Sequence, residues 1–301
     1  MAVELVNLLI ASVLLAGVYA TMSYGMALIY GVMKIVNLAH AGFMMLGAYV
    51  TLELVSRLQM DGIVAAVVLA PAFFAAGVVV YLGLVRRLPF SDQPTLPSLL
   101  LLFGVWLVLQ NLGYVAWGPN DRSLFTPLTL ATWNVGPLVL PVVRVAVFGV
   151  AVVSLVALQQ LLGRTWFGRA VRAVSQNREA ALLAGVDATR TAMLTFGLGV
   201  AFAGLAGGLL ANLYSFNPDF GRPFLLRAFV IIVLGGMESF AGVALGALVV
   251  AVVETFSVLV VPASYQLAIS FLLLVVAMVV LPGGFASLWQ KGGATRWRAL
   301  P

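Results

Sequence analysis

Residues 31–43 read Gly-Val-Met-Lys-Ile-Val-Asn-Leu-Ala-His-Ala-Gly-Phe, and they separate two apolar runs that are each long enough to cross a bilayer. The stretch contains Lys34, Asn37 and His40, and His40 is the only histidine of the chain. Polar side chains are costly at membrane depth unless they face protein or water. The stretch therefore predicts two helix ends inside the protein, with Asn37 and His40 either capping those ends or lining a polar path. Lys34 either lies with them or extends to the nearby membrane surface.

The overall composition defines the class of protein around this stretch. The chain has 301 residues, of which 63% are hydrophobic and 9% are charged, and its mean hydropathy is +1.12. A soluble domain carries about 25% charged residues, so this chain lacks the polar side chains to cover a water-facing surface. We therefore predict an integral membrane protein.

Few residues are available for metal or thiol chemistry. There is no cysteine and one histidine, which excludes a disulfide scaffold and a thiolate metal site, and we expect no cofactor. The formal net charge is +6, but the cations are scattered among the apolar runs, as in membrane proteins that gather Lys and Arg on the cytoplasmic side. Nucleic acid is not expected as a partner.

Apolar segments of helical length recur along the whole chain, without the short alternating segments of a membrane barrel. They predict an all-α integral membrane protein of eight to ten transmembrane helices, some of them broken or re-entrant. The predicted spans are 5–32, 38–57, 62–85, 97–117, 138–162, 190–213, 224–237, 241–261 and 264–282. The first span is either one tilted helix or two pieces broken near Gly25, and 224–237 is short for a full crossing. No shift in composition divides the chain, so residues 1–301 are predicted to form one domain.

Basic residues indicate how the spans are oriented. Three segments are rich in them: Arg86–Arg87, 163–190 and the tail after residue 290. By the positive-inside rule these segments are cytoplasmic, and the polar stretches 118–137 and 214–223 then lie outside. Nine spans would place the amino-terminal end outside, whereas a broken first span would place it inside.

A faint internal echo links two parts of the chain. Gly31-Val-Met-Lys is followed by Ala41-Gly42 and Gly47-Ala48, and Gly235-Gly-Met-Glu is followed in the same order by Ala241-Gly242 and Gly246-Ala247. Interrupted helices in corresponding positions of two repeats are typical of transporters, so an inverted repeat is possible. Small residues are common in membrane helices, and chance is the alternative explanation.

The longest cytoplasmic segment, 163–190, is predicted to be helical from about 168 to 184. On such a helix Arg169, Arg172, Gln176 and Glu179 share one face, and the opposite face carries Ala170, Val174 and Ala181. The segment is therefore either an amphipathic helix lying on the membrane surface or a helix that docks on a partner protein.

The sequence Glu179-Ala-Ala-x-x-x-Gly185 resembles the loop by which permeases of ATP-binding cassette importers dock on their ATPases. Together with residues 29–49 (IYGVMKIVNLAHAGFMMLGAY), 168–181 (GRAVRAVSQNREAA) and 233–242 (VLGGMESFAG), it identifies the chain as similar to the branched-chain amino acid (LivH-type) permease family. The resemblance extends from about residue 10 to the Leu-Pro-Gly-Gly-Phe sequence that ends at Phe285.

The resemblance implies a multi-pass subunit in the inner (plasma) membrane of a bacterium, within membrane lipid. Such a subunit belongs to an importer of branched-chain or other hydrophobic amino acids, or related amides. The implied partners are a homologous second permease, two cytoplasmic ATPases and a periplasmic substrate-binding protein. The chain itself has no Gly-x-x-x-x-Gly-Lys-Ser/Thr loop to hold ATP phosphates, so it is expected to be a permease and not an enzyme.

Within this resemblance we assign three groups of site residues. The residues expected to dock on the ATPases are Arg169, Arg172, Gln176, Glu179 and Gly185. The residues expected to line the substrate pathway are Asn37, His40, Glu238 and Ser239, where helix ends and an acidic group would suit a zwitterion. The residues expected to receive the binding protein are Asp219 and Arg222.

The alternative function is a stand-alone secondary transporter or channel. Such a protein needs ionisable residues within its spans for ion coupling, and Glu53, Glu238 and Glu254 are the acidic candidates. Each of the lone acids Glu53 and Glu254 could instead pair with an arginine or lie near an interface. A membrane enzyme would need a clustered acid and histidine constellation, which the sequence does not suggest.

Overall fold

Helices form nearly all of the regular structure. The computed structural model describes residues 2–88, 95–136, 138–237, 239–281 and 283–287. Its helices are α1 (Ala2–Met33), α2 (His40–Leu58), α3 (Gly62–Gly83), α4 (Thr95–Trp117), α5 (Pro127–Leu130), α6 (Val142–Arg164), α7 (Trp166–Gln176), α8 (Arg178–Leu183), α9 (Ala188–Ala211), α10 (Gly221–Gly235), α11 (Phe240–Ser257) and α12 (Gln266–Val280). Two strands, β1 (Thr132–Val135) and β2 (Leu138–Pro141), form an antiparallel hairpin. The predicted all-α class is confirmed.

Each of the nine predicted spans contains one of these helices. Within the described residues, the helices that are long and apolar enough to cross a membrane number seven, and they are α1, α2, α3, α4, α6, α9 and α11. Helices α10 and α12 are shorter, with 15 residues each. The chain is therefore a multi-pass membrane protein.

The structure decides between the two alternatives for the first span. Helix α1 runs unbroken through Gly25 for 32 residues. Gly25 serves close packing instead of a break, because a Cβ atom there would lie 2.7 Å from the carbonyl oxygen of Gly199 in α9. One unbroken first helix favours nine spans over the count with a broken first span. With nine spans, residue 2 lies on the outer side if the arginine-rich segments are cytoplasmic.

The fifth predicted span starts too early. Its first residues, 138–141, form strand β2, and helix α6 starts only at Val142. Gly136, with φ +61°, lies in the turn of the hairpin, and β1 pairs with β2. The apolar run Leu-Val-Leu-Pro at 138–141 thus satisfies its backbone in a hairpin before the helix begins.

The break between α1 and α2 lies where the sequence predicts it. Lys34 has φ +56°, a left-handed conformation that ends α1, while its backbone N–H still donates to the Tyr30 carbonyl at 2.8 Å. Residues 34–39 then lead to α2, whose first residue, His40, is fully buried. The His40 ring lies beside Gly25, an interior position of α1 that also approaches the Gly199 carbonyl of α9. Helix α2 therefore begins inside the protein rather than at its surface.

Helix α9 is the central helix of the bundle, packed against α1, α2 and α3. Its sequence from Gly197 to Ala211 is rich in glycine and alanine, and most of these residues are buried. At Gly204 the backbone approaches that of Gly47 in α2 so closely that a Cβ on Gly47 would collide with the Gly204 carbonyl. Small residues allow this approach, which is how membrane helices gain packing energy without a hydrophobic driving force.

The helices that precede the two breaks in the echoed sequences, α1 and α10, run in the same direction. Helix α11 runs antiparallel to α1, since its start and its end contact Tyr24 and Tyr19 respectively. It also runs antiparallel to α10, since Arg227 contacts Glu254 and a Cβ on Gly246 would meet the Ile231 carbonyl. Helices α1 and α10 are therefore parallel, and both are followed by a short break. The echo corresponds to a parallel arrangement and not to the inverted repeat that we considered.

The predicted cytoplasmic helix is divided into two, α7 and α8, which we call the loop helices. Asn177 ends α7 and caps α8, with its side chain accepting from the Ala180 N–H at 2.9 Å. Gly185, with φ +79°, ends α8 as predicted, and the Val186 N–H donates back to the Ala181 carbonyl at 2.9 Å. The division arises because an Asn side chain competes with the backbone for hydrogen bonds.

Candidate functional site

Helices α1 and α11 pack against each other, and a cavity lies at each end of this helix pair. The outer cavity has a volume of about 730 Å³ and is bounded by the first half of α1, the end of α11 and part of 213–227. The inner cavity has a volume of about 670 Å³ and is bounded by the second half of α1, the start of α11, α6 and α7. Because the arginine-rich segments are predicted to be cytoplasmic, we assign the outer cavity to the outside and the inner one to the cytoplasm.

Packed side chains separate the two cavities. On α1, Tyr19 lines the outer cavity and Tyr24 lines the inner one, so they are about 7.5 Å apart along the helix axis. On α11, Ala244 lines the inner cavity and Glu254 the outer one, and Val250 between them is fully buried. The helix pair therefore has a cavity at each end and packed side chains at its centre.

A buried ion pair forms part of the lining of the outer cavity. The Arg227 Nε donates to both carboxylate oxygens of Glu254, at 2.8 and 3.1 Å, and the two side chains are only 13% and 2% exposed. The Tyr19 hydroxyl donates to Glu254 Oε2 at 2.6 Å, and the Ser270 hydroxyl donates to Oε1. Four helices, α1, α10, α11 and α12, therefore meet at one carboxylate.

Arg227 is a site residue that the sequence alone did not single out. Three interpretations of Glu254 follow from the sequence, namely an ion-coupling acid, an acid near an interface and the partner of an arginine, and the structure shows the pairing. The signal was present, because Arg227 is a lone cation in the apolar run Phe-Leu-Leu-Arg-Ala-Phe and Glu254 is a lone anion in a later run. Opposite charges within membrane helices usually face the bundle interior and pair with each other.

Asn37 and His40 are both fully buried at the break between α1 and α2. The side chains do not cap α2, whose first amides donate instead to the backbone carbonyls of Asn37 and Leu38. Neither polar atom of Asn37 has a hydrogen-bond partner among the described residues, and the His40 nitrogens make no hydrogen bond of ordinary geometry, although the Met22 backbone lies close to the ring. Their place in a substrate pathway stays a prediction, and neither residue lines the outer or the inner cavity.

Ser239 lies at a different place from Asn37 and His40. Its side chain caps α11 by accepting from the Gly242 N–H at 3.1 Å, and it lines the inner cavity. The adjacent Phe240 stacks on Tyr24 of α1, whereas His40 lies beside the next residue of α1, Gly25. Phe240, next to Ser239, and His40 thus contact different faces of α1. The fourth predicted pathway residue, Glu238, lies outside the described residues.

The loop helices have one exposed and one buried face, as the sequence predicts. The exposed residues include all five that we predicted for ATPase docking: Arg169, Arg172, Gln176, Glu179 and Gly185. The residues predicted for the opposite face, Ala170, Val174 and Ala181, are buried. Their docking role stays a prediction.

The exposed face of the loop helices also carries large apolar side chains that sequence analysis did not single out. Leu183 is 91% exposed at the end of α8, and Leu182 and Trp166 are more than half exposed. The Arg169 guanidinium lies 5.1 Å from the centre of the Trp166 ring. The signal in the sequence is the leucine pair at 182–183, because two adjacent residues of a short helix cannot both face the same buried side.

The buried face of the loop helices is connected to three long helices. A hydrophobic cluster joins Val171 and Val174 of α7 to Leu28 of α1, Leu162 of α6 and Phe202 of α9. In addition, the Arg172 guanidinium donates to the Leu162 carbonyl in the last turn of α6. A displacement of α7 would therefore be transmitted to α6 and α9, and also to the end of α1 that precedes the break.

On the outer side, Asp219 and Arg222 are both exposed. Asp219 accepts hydrogen bonds from Gln110 and Tyr114 of α4, both at 2.5 Å, so it attaches the segment before α10 to α4. The role of Asp219 and Arg222 in docking a binding protein stays a prediction. Nowhere among the described residues do three or more acidic, histidine or cysteine side chains converge as metal ligands would.

Many apolar helices, helix ends inside the bundle and a cavity at each end of one helix pair define a membrane transport permease. A family model described as "Branched-chain amino acid transport system / permease component" matches residues 8–278. The chain belongs to this family of permeases.

The curated relatives agree with this assignment. The chain is 30% identical to the high-affinity branched-chain amino acid transport system permease protein LivH of Escherichia coli, over 90% of this chain and 92% of LivH. It is 26% identical to the corresponding BraD protein of Pseudomonas aeruginosa, over 88% of this chain and 90% of BraD. It is also 32% identical to the permease protein LivM of Salmonella typhimurium, over 50% of this chain and 31% of LivM. No solved structure matches the chain.

Proposed function

We propose that this chain is a permease subunit of an ATP-binding cassette importer in a bacterial inner membrane. It translocates branched-chain or related hydrophobic amino acids that a periplasmic binding protein delivers to its outer side. Two cytoplasmic ATPases supply the energy, and a second permease completes the membrane part. The similarity to both LivH and LivM supports a pair of related permeases.

The observation that carries this proposal is the position of the loop helices. They project an exposed surface that includes Leu183, Glu179 and Arg169, while their buried face is joined to α1, α6 and α9. A helix pair of this kind can transmit a force from a partner into the membrane helices, whereas a self-powered transporter has no need of it. That force would separate the packed side chains of α1 and α11 that lie between the two cavities.

The pathway residues form part of the same proposal. At the break after α1, the helix whose end contacts the loop helices, Asn37 has buried polar atoms with no hydrogen-bond partner among the described residues, and His40 is buried with the Met22 backbone close to its ring. Burying such groups costs about 1–3 kcal/mol each, so a second conformation in which they meet water or substrate would offset that cost. We assign them, with Ser239 and Glu238, to the region that rearranges when the cavities open and close.

Reconstitution into liposomes tests the energy source. We expect leucine uptake only when the chain is reconstituted with the second permease, the ATPases, the binding protein and ATP. Liposomes that contain this chain alone should show no uptake above protein-free liposomes. Leucine flux through the chain alone, without nucleotide, would support the secondary transporter or channel instead and would contradict the proposal.

A further inference from the structure

The outer cavity has an apolar side and a charged side. The apolar side includes Leu8, Leu14 and Leu15 of α1, and the charged residues of the lining are Arg144 and Arg227 together with Asp121, Asp219 and Glu254. Its volume of about 730 Å³ lies within the range of about 300–1,000 Å³ that is typical of small-molecule sites. A ligand that fits both sides must itself have an aliphatic part and a charged part.

The acidic groups around the cavity are already engaged by the protein. Both oxygens of Glu254 accept from Arg227, and each accepts from a further hydroxyl. Asp219 accepts from two side chains of α4, and Asp121 uses Oδ1 to accept from Asn217 at 2.9 Å. Glu254 and Asp219 therefore have little remaining capacity to bind a cation, whereas the second carboxylate oxygen of Asp121 accepts no hydrogen bond from the described residues.

Arg227, in contrast, has hydrogen-bond donors that the described residues do not use. Among the hydrogen bonds of the described residues, it donates only through Nε, and its guanidinium also lies 5.4 Å from the centre of the Phe224 ring. Its two terminal nitrogens are the pair that binds a carboxylate in a bidentate manner. Glu254 and Phe224 hold the guanidinium in place, so little side-chain entropy is lost when an anion binds.

We propose that the outer cavity is a binding site for a free apolar amino acid, whose α-carboxylate is held by the terminal nitrogens of Arg227. The aliphatic side chain lies against the leucines of α1, and the ammonium group faces the mouth of the cavity, where Asp121 has an oxygen available. This inference rests on the proposed import of hydrophobic amino acids. It adds that the permease itself selects for the carboxylate, beyond any selection by a binding protein.

Direct binding of radiolabelled leucine tests the site. The full chain is purified with its second permease and ATPases in nanodiscs, without binding protein and without nucleotide. We expect leucine to bind, 4-methylpentanoate to compete because it keeps the carboxylate, and leucinol not to compete because it lacks the carboxylate. Competition by leucinol equal to that by leucine, or by inorganic phosphate equal to that by leucine, would overturn the proposal. So would a parent complex that binds none of leucine, isoleucine and valine.

Variants of Arg227 test the residue. Arg227→Lys keeps a cation beside Glu254 but loses the two-pronged geometry, and we expect its Kd for leucine to rise about tenfold or more. The double variant Arg227→Gln with Glu254→Gln removes both charges together, and we expect it to assemble without binding leucine. Arg57→Gln, on the outer end of α2 and away from the cavity, is the control and should bind as the parent does.

The outcomes separate this inference from the proposed function. Parent-like leucine affinity in both assembled Arg227 variants would overturn the carboxylate site, even if ATP-driven import is intact. Conversely, a failure of ATP-driven import with leucine binding intact would contradict the proposed energy source but not the site.

Discussion

Replacing Leu183 with aspartate is expected to weaken the assembly of the permease with its ATPases strongly while leaving the permease folded. Leu183 is 91% exposed at the end of α8 and makes no contribution to the hydrophobic clusters of the described residues. A surface substitution of this kind changes stability by about 0.5 kcal/mol or less. If Leu183 is an apolar anchor in the ATPase groove, a charge there should cost about 2 kcal/mol or more of binding free energy, which is about a 30-fold loss of affinity.

The measurement is pull-down of the ATPases by the purified permease, together with substrate-stimulated ATP hydrolysis by the complex. Leu130→Asp is the matched control, because Leu130 is also an exposed leucine of a short helix, at 74% exposure, but lies in the stretch predicted to be outside. It should leave ATPase binding unchanged. Leu183 is a better test than Arg172, whose guanidinium bonds to the end of α6 and whose loss would disturb the permease itself. Parent-like assembly and ATP hydrolysis by Leu183→Asp would show that α8 is not the docking helix.

Replacing Glu254 with leucine is expected to destabilise the protein by about 3–5 kcal/mol, because Arg227 is left charged and unpaired in a buried position. The Tyr19 and Ser270 hydroxyls lose their acceptor in the same substitution. The double variant Glu254→Leu with Arg227→Met removes both charges and should recover most of that loss. The measurement is unfolding of the purified permease in detergent by increasing concentrations of a denaturing detergent.

Glu53→Leu is the matched control for this comparison. Glu53 also pairs with an arginine, Arg57, at 2.8 Å, but the two side chains are 33% and 79% exposed. An exposed pair contributes about 1 kcal/mol or less, and the hydrogen bond that the Trp117 indole N–H donates to Glu53 at 3.0 Å contributes about 1 kcal/mol, so this variant should lose much less stability than Glu254→Leu. Equal destabilisation by Glu53→Leu and Glu254→Leu, or a double variant no more stable than Glu254→Leu alone, would contradict the assignment of a buried, energetically coupled pair.

Hydropathy and charge were sufficient to predict the helices, because a bilayer admits few alternatives for long apolar segments. The break at residues 34–39 was also predictable, since a lysine, an asparagine and a histidine occur together between two apolar runs. The continuity of α1 at Gly25 was not predictable, because a glycine in a membrane helix marks either a break or a close approach. Only the position of Gly199 in α9 decides in favour of close approach.

The functional surfaces were predicted in part. Periodicity assigned the exposed and buried faces of the loop helices correctly, but it did not show that Asn177 divides them or that Arg172 bonds to α6. The outer cavity could not be predicted, because its lining comes from α1, α6, α10, α11 and α12, which are far apart in the sequence. The pairing of Arg227 with Glu254, 27 residues apart, likewise depends on the antiparallel packing of α10 and α11.

The central claim is that ATPases acting on the loop helices open the two cavities alternately, and cysteine labelling tests it most directly. The chain contains no cysteine, so Ala11→Cys in the outer cavity and Ala244→Cys in the inner cavity can each be labelled without background from other positions of this chain. In the assembled complex, we predict that trapping the ATPases with nucleotide changes the two maleimide labelling rates in opposite directions. Labelling rates at both positions that stay the same with and without trapped nucleotide would contradict the claim.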